Sequence, residues 1–142
     1  MNENPIVEKF KEFYQNKNAT DLSKIDELYS DEIVFRDPIH QIRGLAALHD
    51  YMDDMYVNLS ECRFEYLDQL VSVNSAYIKW NMHYRHPKFG NRLITVRGVS
   101  QINFDTSITF HEDIYDMGEL IYEHVPLLGR VVRCLKHRLA KG

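Results

Sequence analysis

Residues 76–85 read Ala-Tyr-Ile-Lys-Trp-Asn-Met-His-Tyr-Arg. Ala76, Ile78, Trp80, Met82 and Tyr84 fall on one side, and Tyr77, Lys79, Asn81, His83 and Arg85 on the other. Side chains point to opposite faces of a strand with a period of two, so this stretch predicts a strand with one face in a core and the other turned outward. Asn74-Ser75 before it is a turn signal, and beyond that lies another strand candidate, Cys62–Val73. After it, Pro87 and Gly90-Asn91 mark a connection to Arg92–Phe104, and Asp105-Thr106-Ser107 turns the chain into Ile108–Met117. Connections this short only join antiparallel neighbours, because a parallel pair needs a crossover of a dozen residues or more. Gly98 inside the third strand predicts a bend or bulge.

The half of the chain before this meander reads as helices. Asn4-Pro5 is a cap followed by a first-turn proline, and Val7, Phe10 and Tyr14 share one helical face. A second, short helix starts near Thr20, whose hydroxyl is placed to cap it, and carries Leu22, Ile25, Leu28 and Tyr29. Residues 32–36 read as a first strand stopped by Asp37-Pro38. After Gly44 a third helix carries Leu45, Leu48, Met52 and Met55, with Tyr51 on the same face. Helices first and strands after mean an α+β domain. The apolar sheet face needs cover, and the three helices are the elements available to supply it. A bent antiparallel sheet wrapped in this way leaves a cavity at its wide end.

With 142 residues the chain predicts one domain, by the usual span of roughly 100–200 residues. The two cysteines, Cys62 and Cys134, are far apart and form no metal-type spacing, so they read as buried or idle thiols. The opening MNENPIVEKF has no basic-then-apolar leader, and no apolar run reaches membrane-spanning length; a cytoplasmic location is the expectation. The net charge of −4 is unevenly spread: the residues from Pro126 onward carry five basic and no acidic side chains, and the rest carry 12 basic against 21 acidic, a net of −9. An acidic body argues against a nucleic-acid partner.

The run Leu28-Tyr29-Ser30-Asp31-Glu32-Ile33-Val34-Phe35-Arg36-Asp37-Pro38 resembles the first-strand signature of the nuclear transport factor 2-like superfamily, SnoaL-like branch. There a helix ends on an aromatic, small and acidic run and a strand closes on Asp-Pro. Gly44 with its following helix, Arg97-Gly98-Val99-Ser100 and Ile114-Tyr115-Asp116 extend the likeness over residues 5–117. The resemblance implies a cone-shaped α+β barrel over residues 1–120; residues 121–142 lie outside the family pattern and read, from their own apolar stripe and charge, as a basic, amphipathic helical extension of the same domain. The superfamily holds ketosteroid isomerases, polyketide cyclases, epoxide hydrolases, dehydratases and non-catalytic members, so the fold leaves the function open.

By resemblance to the isomerases, Asp37 is a general base; read from the residues alone, it either does this or caps the turn before Pro38. The isomerase oxyanion hole does not carry over. Phe13 stands at the position of its tyrosine, with Tyr14 adjacent, and Ser100 at the position of its aspartic acid, so steroid-type enolisation is not expected. Alternation puts Thr109, His111, Asp113 and Tyr115 on one face of the last strand. The superfamily register turns that face to the cavity, and Asp113 best matches the acid–base aspartate of SnoaL-type cyclases. His111 is placed to share a proton with Asp113 or Asp37, and a His–Asp couple is a base that works near neutral pH; the alternative is a buried polar network that ties strand to helix. Trp80, Met82, Tyr14, Tyr51, Met55, Ser100 and Tyr115 are the candidate ligand contacts; Trp80, Tyr51 and Met55 also read as plain core. His83, Arg85 and His86 read as solvated or interface residues.

No metal-binding, nucleophile-elbow or phosphate-loop pattern is present, and no cofactor is expected. The expected ligand is small and apolar or of mixed polarity. The chemistry, if any, is of the isomerase, cyclase or dehydratase type; the alternative is a binding or dimerisation module without catalysis. A homodimer through the outer sheet face is expected from Tyr77 to Arg85. The tail stripe of Leu128, Val131, Val132, Leu135 and Leu139 is expected to dock on the acidic body or on a dimer mate, with a membrane surface as the less favoured partner.

Overall fold

In the computed structural model the described residues are 3–16, 18, 20–120 and 126–141. Helix α1 (Pro5–Tyr14) begins where the Asn4 side chain accepts from the Ile6 N–H at 2.8 Å, with Pro5 in the first turn, where a missing N–H costs nothing. The next element is a 3-10 helix, Leu22–Glu27, and its cap is Asp21, not Thr20. The Thr20 hydroxyl instead donates back to the Phe13 carbonyl at 2.7 Å, tying the connection to the end of α1.

Six strands follow in one sheet: β1 (Tyr29–Arg36), β2 (Gln41–Arg43), β3 (Glu61–Val71), β4 (Ser75–Arg85), β5 (Ile94–Phe104) and β6 (Ile108–Tyr115), with helix α2 (Leu45–Asn58) between β2 and β3. Their order is β2-β1-β6-β5-β4-β3, so the sheet is open, with β2 and β3 at its edges. The meander β3 to β6 is antiparallel as expected. The sheet as a whole is not, because β1 runs parallel to β6. No local pattern carries that pairing, since its partners, from Tyr29 with Ile108 to Arg36 with Glu112, lie 76 to 79 residues apart. The short β2 was also missed; it folds back on β1 around Asp37 and Pro38. Register shifts in β1/β6, β3/β4 and β5/β6 supply the local bends that let the sheet curve.

Helices α1 and α2 lie on the concave face. Val7 and Phe10 of α1 and Leu48, Met52 and Tyr56 of α2 pack with Ile33, Phe35, Ile78, Trp80, Ile102 and Ile108 of the sheet in one core. Gly98 makes no bulge: β4 and β5 pair without interruption through Trp80 and Gly98. Its small size serves close approach, because the Trp80 ring lies over it so closely that a Cβ there would sit 2.3 Å from a ring carbon.

After β6 come a one-turn helix, α3 (Met117–Leu120), and the tail helix α4 (Pro126–Lys141). The expected extension is thus helical from Pro126, while residues 121–125 of it lie outside the described residues. Lys136 pairs with Asp116, but the body of the same chain leaves the apolar stripe largely uncovered, with Leu135 54% and Leu139 82% exposed. Cys62 is buried and Cys134, on α4, is exposed.

Candidate functional site

A cavity of about 310 Å³ opens between the concave sheet face and helices α1 and α2. That is the lower end of the range for small-molecule pockets. Six of the expected ligand contacts, Trp80, Met82, Tyr115, Tyr14, Tyr51 and Met55, line it, together with Asp37 and Asp113. Ser100 and His111 do not reach this wall. They border a recess of about 10 Å³ behind it, which Asp113 also touches.

Asp113 is the junction between the cavity and a buried polar chain. Its Oδ1 accepts from the Ser100 hydroxyl at 2.5 Å and bonds to His111 Nε2 at 2.7 Å. Ser100 in turn accepts from the Trp80 indole N–H at 2.9 Å. On the other side of the imidazole, Nδ1 meets the Tyr29 hydroxyl at 2.8 Å, and Tyr29 meets the Tyr14 hydroxyl at 2.5 Å. One proton assignment satisfies every member. Tyr14 donates to Tyr29, Tyr29 donates to Nδ1, and Nε2–H donates to the carboxylate, so all donors point towards Asp113. Oδ2 of Asp113 takes no hydrogen bond from the described residues, and the side chain keeps 21% exposure. His111 itself is 1% exposed and boxed by Phe10, Tyr29 and Phe35, with ring centroids 4.9–5.9 Å away. Alternation on β6 had set His111 and Asp113 on one face, and the structure brings them into contact.

Asp37 stands apart from this couple. Its Oδ1 accepts from the backbone N–H groups of Ile39 and His40 at 2.9 and 2.7 Å, which closes the turn into β2. Its Oδ2 accepts from the Tyr51 hydroxyl at 2.8 Å, and the His40 ring lies 3.1 Å from Oδ1. The turn-capping role is therefore present, in a carboxylate that also faces the cavity. No hydrogen bond links Asp37 to His111 or Asp113 among the described residues, so of the three acid–base candidates only His111 and Asp113 meet.

The phenols around the cavity stay protonated well beyond the usual range. Burial is the largest cause for Tyr14, Tyr29, Tyr51, Tyr56, Tyr66 and Tyr115, and burial pushes Tyr84 up to about 12. For Tyr51 and Tyr115 the negative charges of Asp37 and Asp113 add to this. Tyr115 matters most for a ligand. Its ring lines the cavity two residues after Asp113 on β6, and its hydroxyl has no partner among the described residues. It is a protonated donor in the cavity lining, close enough to Asp37 and Asp113 to feel both charges.

Three parts of the site escaped the sequence. Tyr29 was read as part of a helix stripe, yet it starts β1 and orients His111; the parallel β1–β6 pairing that places it is non-local. His40, three residues after Asp37, is the turn residue that Asp37 holds. His86, read as solvated or interface, lines the cavity mouth with Lys88 and Phe89. Its one legible signal is Pro87, which starts a short 3-10 turn there. Among the described residues no cluster of metal-ligating side chains occurs.

Comparison with known proteins agrees with this architecture. No curated protein matches the sequence. Among solved structures, a nuclear transport factor 2-like protein of unknown function from Burkholderia pseudomallei superposes with a TM-score of 0.73 at 14% identity, covering 84% of this chain and 96% of that one. A candidate SnoaL-like polyketide cyclase from Shewanella putrefaciens gives 0.69 at 16% identity, covering 83% and 95%. TerC co-crystallised with polyporic acid gives 0.68 at 15% identity, covering 80% and 92%. At these identities the likeness is one of fold. The SnoaL-like domain family model matches residues 10–111, well over half of the 142 residues, and on that match the chain belongs to the SnoaL-like domain family.

Proposed function

We propose that this chain binds a small, largely apolar molecule in the cavity and moves a proton on it, with Asp113 as the acid–base group. The observation that carries the reading is the division of labour at Asp113, a residue of the cavity lining: Oδ1 is fixed by Ser100 and His111, while Oδ2 takes no hydrogen bond among the described residues. A carboxylate oriented through one oxygen by two donors presents the other in a defined direction, which is what a general base needs. Oδ2 takes a proton from a carbon beside a carbonyl, the Tyr115 O–H donates to the carbonyl oxygen as charge gathers there, and the proton is returned at the same or another carbon. Isomerisation, cyclisation and dehydration share this step, and no cofactor enters it. Aromatic walls suit a flat apolar body, and the polyporic acid held by one similar structure is consistent with a pocket of this kind.

A second reading, ligand binding without turnover, is favoured by the saturated state of Asp37, which leaves a single free acid in the cavity. Deuterium exchange separates the two. The protein in D2O is expected to catalyse uptake of deuterium at the activated carbon of 2-tetralone, a small bicyclic ketone, followed by NMR. Quenching of Trp80 fluorescence by the ketone with no exchange above buffer would support binding alone.

A further inference from the structure

The tail helix α4 presents a surface that the cavity does not use. It meets the body along one line of its surface, where Gly129 is buried, Val132 is half-buried and Lys136 pairs with Asp116. These positions are three and four residues apart, a single helical face. The apolar stripe lies beside that face and points away from the body: Leu128 is 43% exposed, Val131 49%, Leu135 54% and Leu139 82%. From Pro126 to Lys141 there are five Lys and Arg residues and no acid. At about 100° per residue, Arg138 falls on one border of the stripe and Lys136 on the other, with Arg130 and Lys141 further round on the polar face.

We infer that this face binds the surface of an anionic lipid bilayer, with the helix lying parallel to it. The charge pattern selects that occupant. Cations bordering an apolar stripe reach lipid headgroups while the stripe enters the acyl boundary, so one surface satisfies both features. A second copy of the helix would cover the stripe but offers the cations nothing to pair with, since residues 126–141 hold no acid. The chain's own acidic body, which has the matching charge, holds Lys136 through Asp116 and leaves the stripe exposed. Among the described residues no helix is long and apolar enough to cross a membrane, so the contact is one of surface and not of span.

The test uses the full chain and co-sedimentation with vesicles of phosphatidylcholine alone or of equal parts phosphatidylcholine and phosphatidylglycerol. At about 0.1 M salt, where the screening length is near 10 Å, the chain is expected to pellet with the mixed vesicles at least tenfold more strongly than with the neutral ones, and less as salt rises. The double variant Leu135→Glu, Leu139→Glu is expected to lose at least roughly tenfold in vesicle affinity, as removal of two apolar anchors requires. Its melting temperature should be unchanged, because both side chains are exposed. Arg130→Glu, Arg138→Glu is expected to lose binding to the mixed vesicles in the same way. The inference is overturned if the wild type pellets with neither vesicle. It is equally overturned if the leucine variant binds as the wild type does, or if that variant loses a dimer which the wild type forms without any lipid.

Discussion

Replacing Gly98 by alanine adds one methyl group at the point where the sheet and the cavity wall depend on each other. The new Cβ would lie 2.3, 2.6 and 2.7 Å from Cη2, Cζ3 and Cζ2 of Trp80, about an ångström inside ordinary contact. The Trp80 ring is 1% exposed, faces Phe64 edge-on at 5.0 Å and donates to Ser100, so its easiest escape is into the cavity. Overpacking of this kind costs about 1–3 kcal/mol, and a broken buried hydrogen bond adds about 1 kcal/mol. In a domain of this size the total of about 2–4 kcal/mol lowers the melting temperature by roughly 6–15 °C. The assay is thermal melting alongside Trp80 emission, which reads the site alone because Trp80 is the one tryptophan in the sequence. The expected result is a lower melting point, an emission maximum shifted by the new environment and weaker binding of an apolar probe such as 2-naphthol. A variant that melts within about 2 °C of the wild type with unchanged emission would refute the reasoning that Gly98 exists to seat Trp80.

Other perturbations follow from the same structure. Tyr29→Phe leaves His111 Nδ1 without its partner in a buried site and is expected to cost about 1–3 kcal/mol in chemical denaturation while keeping the fold's circular dichroism. In alkaline titration followed at the phenolate absorbance, the seven phenols held protonated by burial should resist ionisation until the protein unfolds. Their folded values lie above the unfolded value of about 10, so the stability they contribute is complete below that pH and is lost as pH rises beyond it. Smooth ionisation of all phenols near pH 10 in the folded protein would contradict the burial described. The outer sheet face, where Tyr77 is 45% and Ile114 51% exposed, is expected to pair with a second copy, and sedimentation at tens of micromolar should give twice the chain mass of 16.9 kDa.

The elements legible in the sequence were those set by local period and punctuation. Strict alternation located β4, turn residues located its neighbours, and Asn4-Pro5 and Gly44 marked two helix starts. The same alternation put His111 and Asp113 on one face, which is why that couple could be read before any coordinates. What could not be read was non-local. The parallel pairing of β1 with β6 puts Tyr29 against His111 across 82 residues of sequence, and no short-range pattern encodes it. Asp37 lines the cavity, yet its separation from the couple depends on the β1–β2 hairpin, whose second strand is only three residues long. Gly98 was misread because a glycine inside a strand signals a bulge or a close approach equally well, and only the position of the Trp80 ring decides. In the tail, the period gave the helix and the net charges suggested docking on the body. Charge attraction between exposed groups is weak, however, and it does not specify which face of the helix turns inward.

The claim that Asp113 is the acid–base group rests most directly on one rate comparison. Deuterium uptake by 2-tetralone is measured for the wild type, Asp113→Asn and Asp37→Asn, each first shown to melt as a folded protein. Loss of a general base costs about 10²–10⁴-fold. Asp113→Asn is expected to fall by at least that lower figure, and Asp37→Asn, whose carboxylate is already fully bonded, by much less. Exchange by Asp113→Asn at the wild-type rate would contradict the assignment.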